Sequence, residues 1–191
     1  MILNNKDKNF ISKEIEKIKT LSSVQLFIES TKKSSKYQLA SCMFAIFILF
    51  FFSFLMISTI HIDALELLQI QLLIFFGFYF LLEKSKNSFI KILPKFYKHQ
   101  VASKNAIEQF DNLEWDNTKK KVMFFISFDE KYAEILVDDE IADVIPNSHW
   151  EAILNEFSQE IKENNFSTAY LKAIIACSSI LIEKFPLKES K

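Results

Sequence analysis

The hydrophobic pattern changes character along the chain. From Leu39 to Ile60, and again from Ala64 to Leu82, almost every position is apolar. The first run holds no charge, and the second holds only Glu66, near its start. A helix needs about 20 apolar residues to cross a bilayer core. Both runs reach that length, and only His61, Ile62 and Asp63 separate them. The pattern therefore predicts an antiparallel transmembrane hairpin, 39–60 and 64–82.

On either side the pattern is that of a mixed globular fold. Ile11, Ile15 and Ile18 recur at helical spacing among Lys and Glu, predicting an amphipathic helix over Phe10–Leu21. Val24–Glu29 alternates as a short strand does, and Thr31–Lys36 is a polar, basic link. After the hairpin, Asn87–Phe96 mixes basic and apolar positions, the texture of an interfacial segment, until Pro94 interrupts it. A helical pattern follows through Val101, Ala106, Phe110 and Leu113. Val122–Phe128 is nearly all apolar, as in a strand covered on both faces. The break at Asp129–Lys131 is too short for a crossover helix, so Tyr132–Val137 is expected to return antiparallel.

Ser148 and Glu151 have capping-box spacing at the head of a helix striped by Trp150, Ile153, Leu154, Phe157 and Ile161. Ser167 is placed to cap a last helix, which Pro186 stops. The helix and strand in Phe10–Glu29 are too small to form a core alone. Val24–Glu29 is therefore expected to pair with Val122–Phe128. This makes the hairpin an insertion within one α/β domain. The organisation reads as an N-terminal helix and strand (1–37), the hairpin (38–83), a basic juxtamembrane segment (84–97) and the main part of the domain (98–191).

Charge sharpens this picture. Residues 1–97 carry 12 Lys against 7 acids, and residues 98–191 carry 11 Lys against 17 acids. An acidic globular part argues against nucleic acid, which selects a basic surface. Lys32, Lys33 and Lys36 precede the first span, and Lys84, Lys86, Lys91, Lys95 and Lys98 follow the second. By the positive-inside rule both termini are cytoplasmic, in a multi-pass protein of a bacterial inner membrane. Lys84, Lys86, Lys91 and Lys95 are the expected membrane-surface residues, facing anionic lipid. All basic residues are Lys; none is the Arg whose planar fork grips carboxylate or phosphate.

Within the spans, Gln69 and Gln71 are expected to bond Ser53, Ser58 or Thr59 across the hairpin. A register about Ile62 sets Gln71 opposite Ser53. Gly77, the only glycine, is expected to admit a bulky neighbour such as Phe47. The competing reading of Glu66 and the two Gln is a transport or pore path. Cys42 and Cys177 fall in a span and in a globular helix, which argues against a disulfide between them.

Candidate chemistry is sparse. There is no phosphate loop, zinc spacing or nucleophile elbow. His61, His99 and His149 are not spaced as ligands on one helix. The remaining cluster is acidic: Asp138, Asp139, Glu140 and Asp143 after the second predicted strand, with Asp129 and Glu130 at the turn before it. Glu130, Asp138 and Asp139 are the candidate ligands for Ca²⁺ or Mg²⁺, both oxygen-seeking cations. The competing reading is a solvated loop in which Asp138 starts a short helix at Ile141–Val144.

The succession VMFFISFDEKYAEILVDDEIADVIPNSHW, then ILIEKFP, resembles the TPM domain family, in its bacterial branch with two transmembrane helices inside the domain. Ser127, Glu130, Asp138, Trp150 and Phe185-Pro186 carry the resemblance. It implies an α/β sandwich: a small mixed sheet flanked by helices and interrupted here by the hairpin. Some members are reported as acid phosphatases with a bound divalent cation. Others act in photosystem repair or as auxiliary subunits of animal receptors. The family's Glu-Arg turn is Glu130-Lys131 here, and its usual glycines are replaced around Lys119–Lys121, at Glu140 and in Ser167–Ala169. Asp138 and Glu130 are the acidic positions that the resemblance carries over.

The leading expectation is a non-enzymatic, membrane-anchored module that assists a membrane protein partner. Its competitors are a cation-dependent phosphatase built on the acidic cluster and a small pore component. Oligomeric state is left open.

Overall fold

The computed structural model describes residues 5–59, 63–116, 118–163 and 165–187. The elements run α1 (Asn5–Leu21), β1 (Val24–Thr31), α2 (Gln38–Thr59), α3 (Ala64–Lys84), α4 (Lys86–Ile92) and α5 (Lys95–Asn112). Then follow β2 (Lys120–Ser127), β3 (Tyr132–Val137), α6 (Asp139–Ala142), α7 (Asn147–Lys162) and α8 (Phe166–Lys184). The chain forms two compact units. One joins the segment up to Lys32 with everything from Ala102 onward, and the other is Lys33–Val101.

The first unit is built on a three-stranded sheet in the order β1-β2-β3. β1 lies parallel to β2, from Val24 opposite Lys120 to Thr31 opposite Ser127. β3 returns antiparallel, with Val122 opposite Val137 and Ser127 opposite Tyr132. The apolar run in β2 has its reason in this order: it is the central strand, and both of its faces are covered. Val122, Phe124 and Ile126 face a core shared with Ile18 of α1, Trp150, Ile153 and Phe157 of α7, and Ala169, Tyr170, Ala173 and Cys177 of α8. Met123 and Phe125 face the other way, onto Ala106 and Phe110 of α5 with Trp115 and Leu136. Burying a side chain such as Phe124 or Phe125 contributes roughly 1.5–3 kcal/mol. The result is a mixed α/β fold with a small sheet flanked by helices.

Local details correct several expectations. α7 begins at Asn147, and its head has no side-chain cap; Asn147 Nδ2 donates to Glu151 Oε1 at 2.8 Å in place of a Ser148 capping box. α8 begins at Phe166 after Asn165, so Ser167 lies inside the helix and is not its cap. Pro186 does stop α8, and it forms a bridge to Ser22. α6 starts at Asp139 with Asp138 as its cap, two residues earlier than Ile141.

The second unit contains α2, α3, α4 and the first turns of α5. Its inner contacts are made by Tyr37, Ala40, Ala45, Leu82, Phe89 and Ile90. α2 and α3 pack antiparallel: Gln71 Nε2 donates to Ser53 Oγ at 2.9 Å, the partner expected from the register. Gly77 does not admit Phe47. A methyl group there would meet nothing within 4 Å, and Gly77 lies in an open apolar recess with Leu73, Ile74, Phe78 and Leu81. The glycine opens outward because its helix face is turned away from α2. His61 and Ile62 of the link lie outside the described residues.

Among the described residues, three helices are long and apolar enough to cross a membrane by length and composition: α2, α3 and α8. They use this apolarity differently. In α8, 39% of the apolar window is buried, against 17% in α2 and none in α3. α8 serves the core of the sheet unit. α2 and α3 turn Phe47, Phe50, Phe54, Leu65 and Leu73 outward.

Candidate functional site

The acidic candidates are positioned by the two ends of β2. At one end, β3 finishes at Val137 and Asp138 takes an extended backbone conformation. Its Oδ1 accepts from Ile141 N–H at 3.0 Å, which caps α6. Its Oδ2 accepts from Lys121 N–H at 2.7 Å, and its own N–H donates to Lys121 O at 3.1 Å. One carboxylate thus closes the β2–β3 ladder and starts a helix. Each of its oxygens already receives a backbone donor. Beside it, Glu140 pairs with Lys120, whose ammonium lies 5.5 Å from the centre of the Phe185 ring. Asp139 and Asp143 are exposed.

At the other end, Phe128 to Lys131 forms a tight turn closed by Lys131 N–H donating to Phe128 O at 3.2 Å. Lys131 has φ 53°, the left-handed region. Glu130 is buried, and Ser127 Oγ donates to its Oε2. A carboxylate taken out of water in this way needs donors around it. The same turn is held to the first strand by Phe128 N–H and Asp129 N–H, which donate to Thr31 O and Lys32 O.

The candidate cation set is therefore not assembled. Asp138 lies beside Lys121 and Glu130 beside Ser127, six residues apart on one strand, or about 20 Å at the strand rise. Asp139 stays with Asp138 and projects from α6. Among the described residues no three His, Cys, Asp or Glu side chains come together as a metal would need. The sequence reading failed on distance: a hairpin brings the residues after β3 back to the start of β2, away from the turn.

A polar group that the sequence reading passed over lies on the α5 face of the sheet. Tyr132 and Glu134 alternate with Ala133 and share that face with Leu136. Tyr132 bonds Ser103 of α5 and Glu134; burial chiefly pushes its phenol up to about 12. Glu134 Oε2 is buried without a hydrogen-bond partner. The signal was the two-residue spacing of Tyr132 and Glu134 in a strand otherwise apolar on that face. On the opposite face Tyr170 bonds Ser30, and burial pushes it up to about 12 as well.

The membrane-surface candidates belong to the second unit. Lys84, Lys91 and Lys95 are exposed, at the end of α3, in the last turn of α4 and at the start of α5. The side chain of Lys86 lies outside the described residues, although its backbone opens α4.

The family model for the TPM domain matches residues 82–179. The chain belongs to the TPM domain family. The TPM match takes in α4 to α7, both strands of the hairpin and most of α8, and with them Ser127, Glu130, Asp138 and Trp150. β1 lies outside it, yet pairs with β2 along its length. Among solved structures, the NMR structure of the BA42 protein from the psychrophilic bacterium Bizionia argentinensis shares the TPM chain's fold, with a TM-score of 0.56. The two are 17% identical, and the alignment covers 99% of this chain and 88% of that one. Among curated proteins no match was found.

Proposed function

We propose that this TPM protein is a membrane-anchored, non-enzymatic module that assists a membrane protein or complex. α2 and α3 form its transmembrane hairpin, and both termini are cytoplasmic in a bacterial inner membrane. One observation carries the reading: α2 and α3 turn their largest apolar side chains outward, with Phe54 74% and Leu73 75% exposed, while the sheet unit closes its own core. Water strongly disfavours such a surface, and a bilayer accepts it. α8 is not a third span in this reading, because its apolar face is already occupied by the sheet. Lys placement sets the orientation. The non-enzymatic part rests on Asp138 and Glu130, the acids matching the family pattern. Both are engaged in holding the ends of the β2–β3 hairpin.

Carbonate extraction of native membranes, followed by crosslinking and purification in mild detergent, tests both halves. The expected result is retention in the membrane pellet and a reproducible membrane protein partner. Release by carbonate would remove the anchor. A chain recovered alone at every expression level would remove the partner. Hydrolysis of a phosphomonoester with Mg²⁺ or Ca²⁺, abolished by Asp138→Asn, would replace this reading with the phosphatase one.

A further inference from the structure

The corner between α4 and α5 combines apolar and basic side chains in a way the hairpin alone does not explain. α4 is pinned to the spans by its inner face. Phe89 and Ile90 are buried, and the Phe89 ring meets Phe44 of α2 edge-on at 5.6 Å. The chain then bends at Leu93, which is extended, and Pro94, and starts α5 at Lys95. On the outer side of this bend stand Ile92, 69% exposed, and Phe96, 79% exposed. Phe96 thus exceeds even Leu73 and Phe54 on the outer face of the spans. Lys91 and Lys95 flank the pair, and Lys84 is exposed at the end of α3. Nearby, Tyr37 and Tyr97 bring their rings to 6.2 Å, aromatic residues of the kind that mark membrane–water boundaries.

We propose that this corner is an interfacial wedge that reads anionic lipid. Ile92 and Phe96 enter the boundary between headgroups and acyl chains, and Lys91, Lys95 and Lys84 engage the negatively charged headgroups above it. The inference rests on the membrane anchoring proposed above and adds a lipid preference to it. Its occupant follows from charge complementarity: the charged residues nearest the apolar pair in sequence, Lys91, Lys95 and Lys98, are all lysines. Each lysine near an anionic surface favours association roughly fivefold.

The test uses the full chain in lipid nanodiscs with Phe96→Trp as reporter and the unsubstituted protein as baseline for the native tryptophans. In discs containing phosphatidylglycerol, the introduced tryptophan is expected to emit at shorter wavelength and to be quenched by lipids brominated on the acyl chains. In discs of phosphatidylcholine alone, or with Lys91→Glu and Lys95→Glu added, quenching is expected to fall several-fold. Ile92→Trp gives an independent reporter should the first variant misfold. A chain that enters the discs while its reporter stays unquenched would overturn the wedge and leave the anchor intact. Equal quenching in neutral and anionic discs would overturn the lipid preference. A chain that never enters the discs would overturn the anchor itself.

Discussion

Gln71 donates to Ser53 at 2.9 Å, and Ser53 in turn donates to Leu49 O at 2.8 Å, so one polar chain links α3 to the backbone of α2. In the membrane placement proposed for α2 and α3, such a bond contributes on average about 0.6 kcal/mol. A double-mutant cycle with Gln71→Leu and Ser53→Ala is expected to give a coupling of that order. It is read from unfolding of the hairpin in detergent or bicelles. Zero coupling would mean that the pair is incidental to hairpin packing.

Asp138 holds two elements at once, so its variants separate its roles. Asp138→Ala loses the cap on α6 and the bond from Lys121 N–H. It is expected to destabilise the sheet unit by about 1–3 kcal/mol. Asp138→Asn keeps one acceptor and should cost less. Trp115 and Trp150, the only tryptophans, both lie in this unit, so their fluorescence in denaturant follows it. An alanine variant as stable as the parent would show that the carboxylate is not structural.

Lys131 sits at φ 53° without the freedom of glycine. A residue with a side chain in the left-handed region is strained by roughly 1–2 kcal/mol, part of which glycine returns as entropy of the unfolded chain. Lys131→Gly is expected to raise stability by about 0.5–1 kcal/mol in the same denaturation experiment. A loss of stability would point to a tertiary role for the lysine side chain.

Stability is also expected to fall in alkali. Burial pushes Tyr170 up from 10.0 to about 12 and Cys177 up from 9.0 to about 12. Between each pair of values the unfolded chain releases a proton that the folded chain keeps, which favours unfolding. The contribution is intact below pH 9, and it is lost as pH rises from there toward 12. Denaturation midpoints measured from pH 8 to 11 should decline, and Tyr170→Phe should flatten the upper part of the slope. Cys177 is expected to resist thiol reagents until the protein unfolds. Rapid labelling of the folded protein would contradict its burial.

The parts of the fold that depend on local pattern were legible in the sequence. The apolar run in β2, the strand Tyr132–Val137 and the Gln71–Ser53 register all follow from side-chain period and antiparallel geometry. So did the pairing of β1 with β2, because a lone helix and strand cannot bury themselves. The helix starts were less legible. Ser148 and Ser167 are good caps in isolation, but Asn147 and Phe166 begin the helices one residue earlier. The acidic cluster misled for a different reason. Glu130 and Asp138 are eight positions apart in sequence, but a hairpin places them at opposite ends of its strands. The polar contacts of Tyr132 and Tyr170 with Ser103 and Ser30 needed the structure, because each joins segments far apart in the chain.

The parallel pairing of β1 with β2 has a consequence in time. Val24 meets Lys120, about a hundred residues later in the chain. At roughly 5–20 residues per second of synthesis, β1 waits several seconds for the strand that will cover its edge. During that wait α1 and β1 are exposed to other nascent chains and to chaperones. Assembly of this protein is therefore expected to be most vulnerable early in translation, while its first strand has no neighbour.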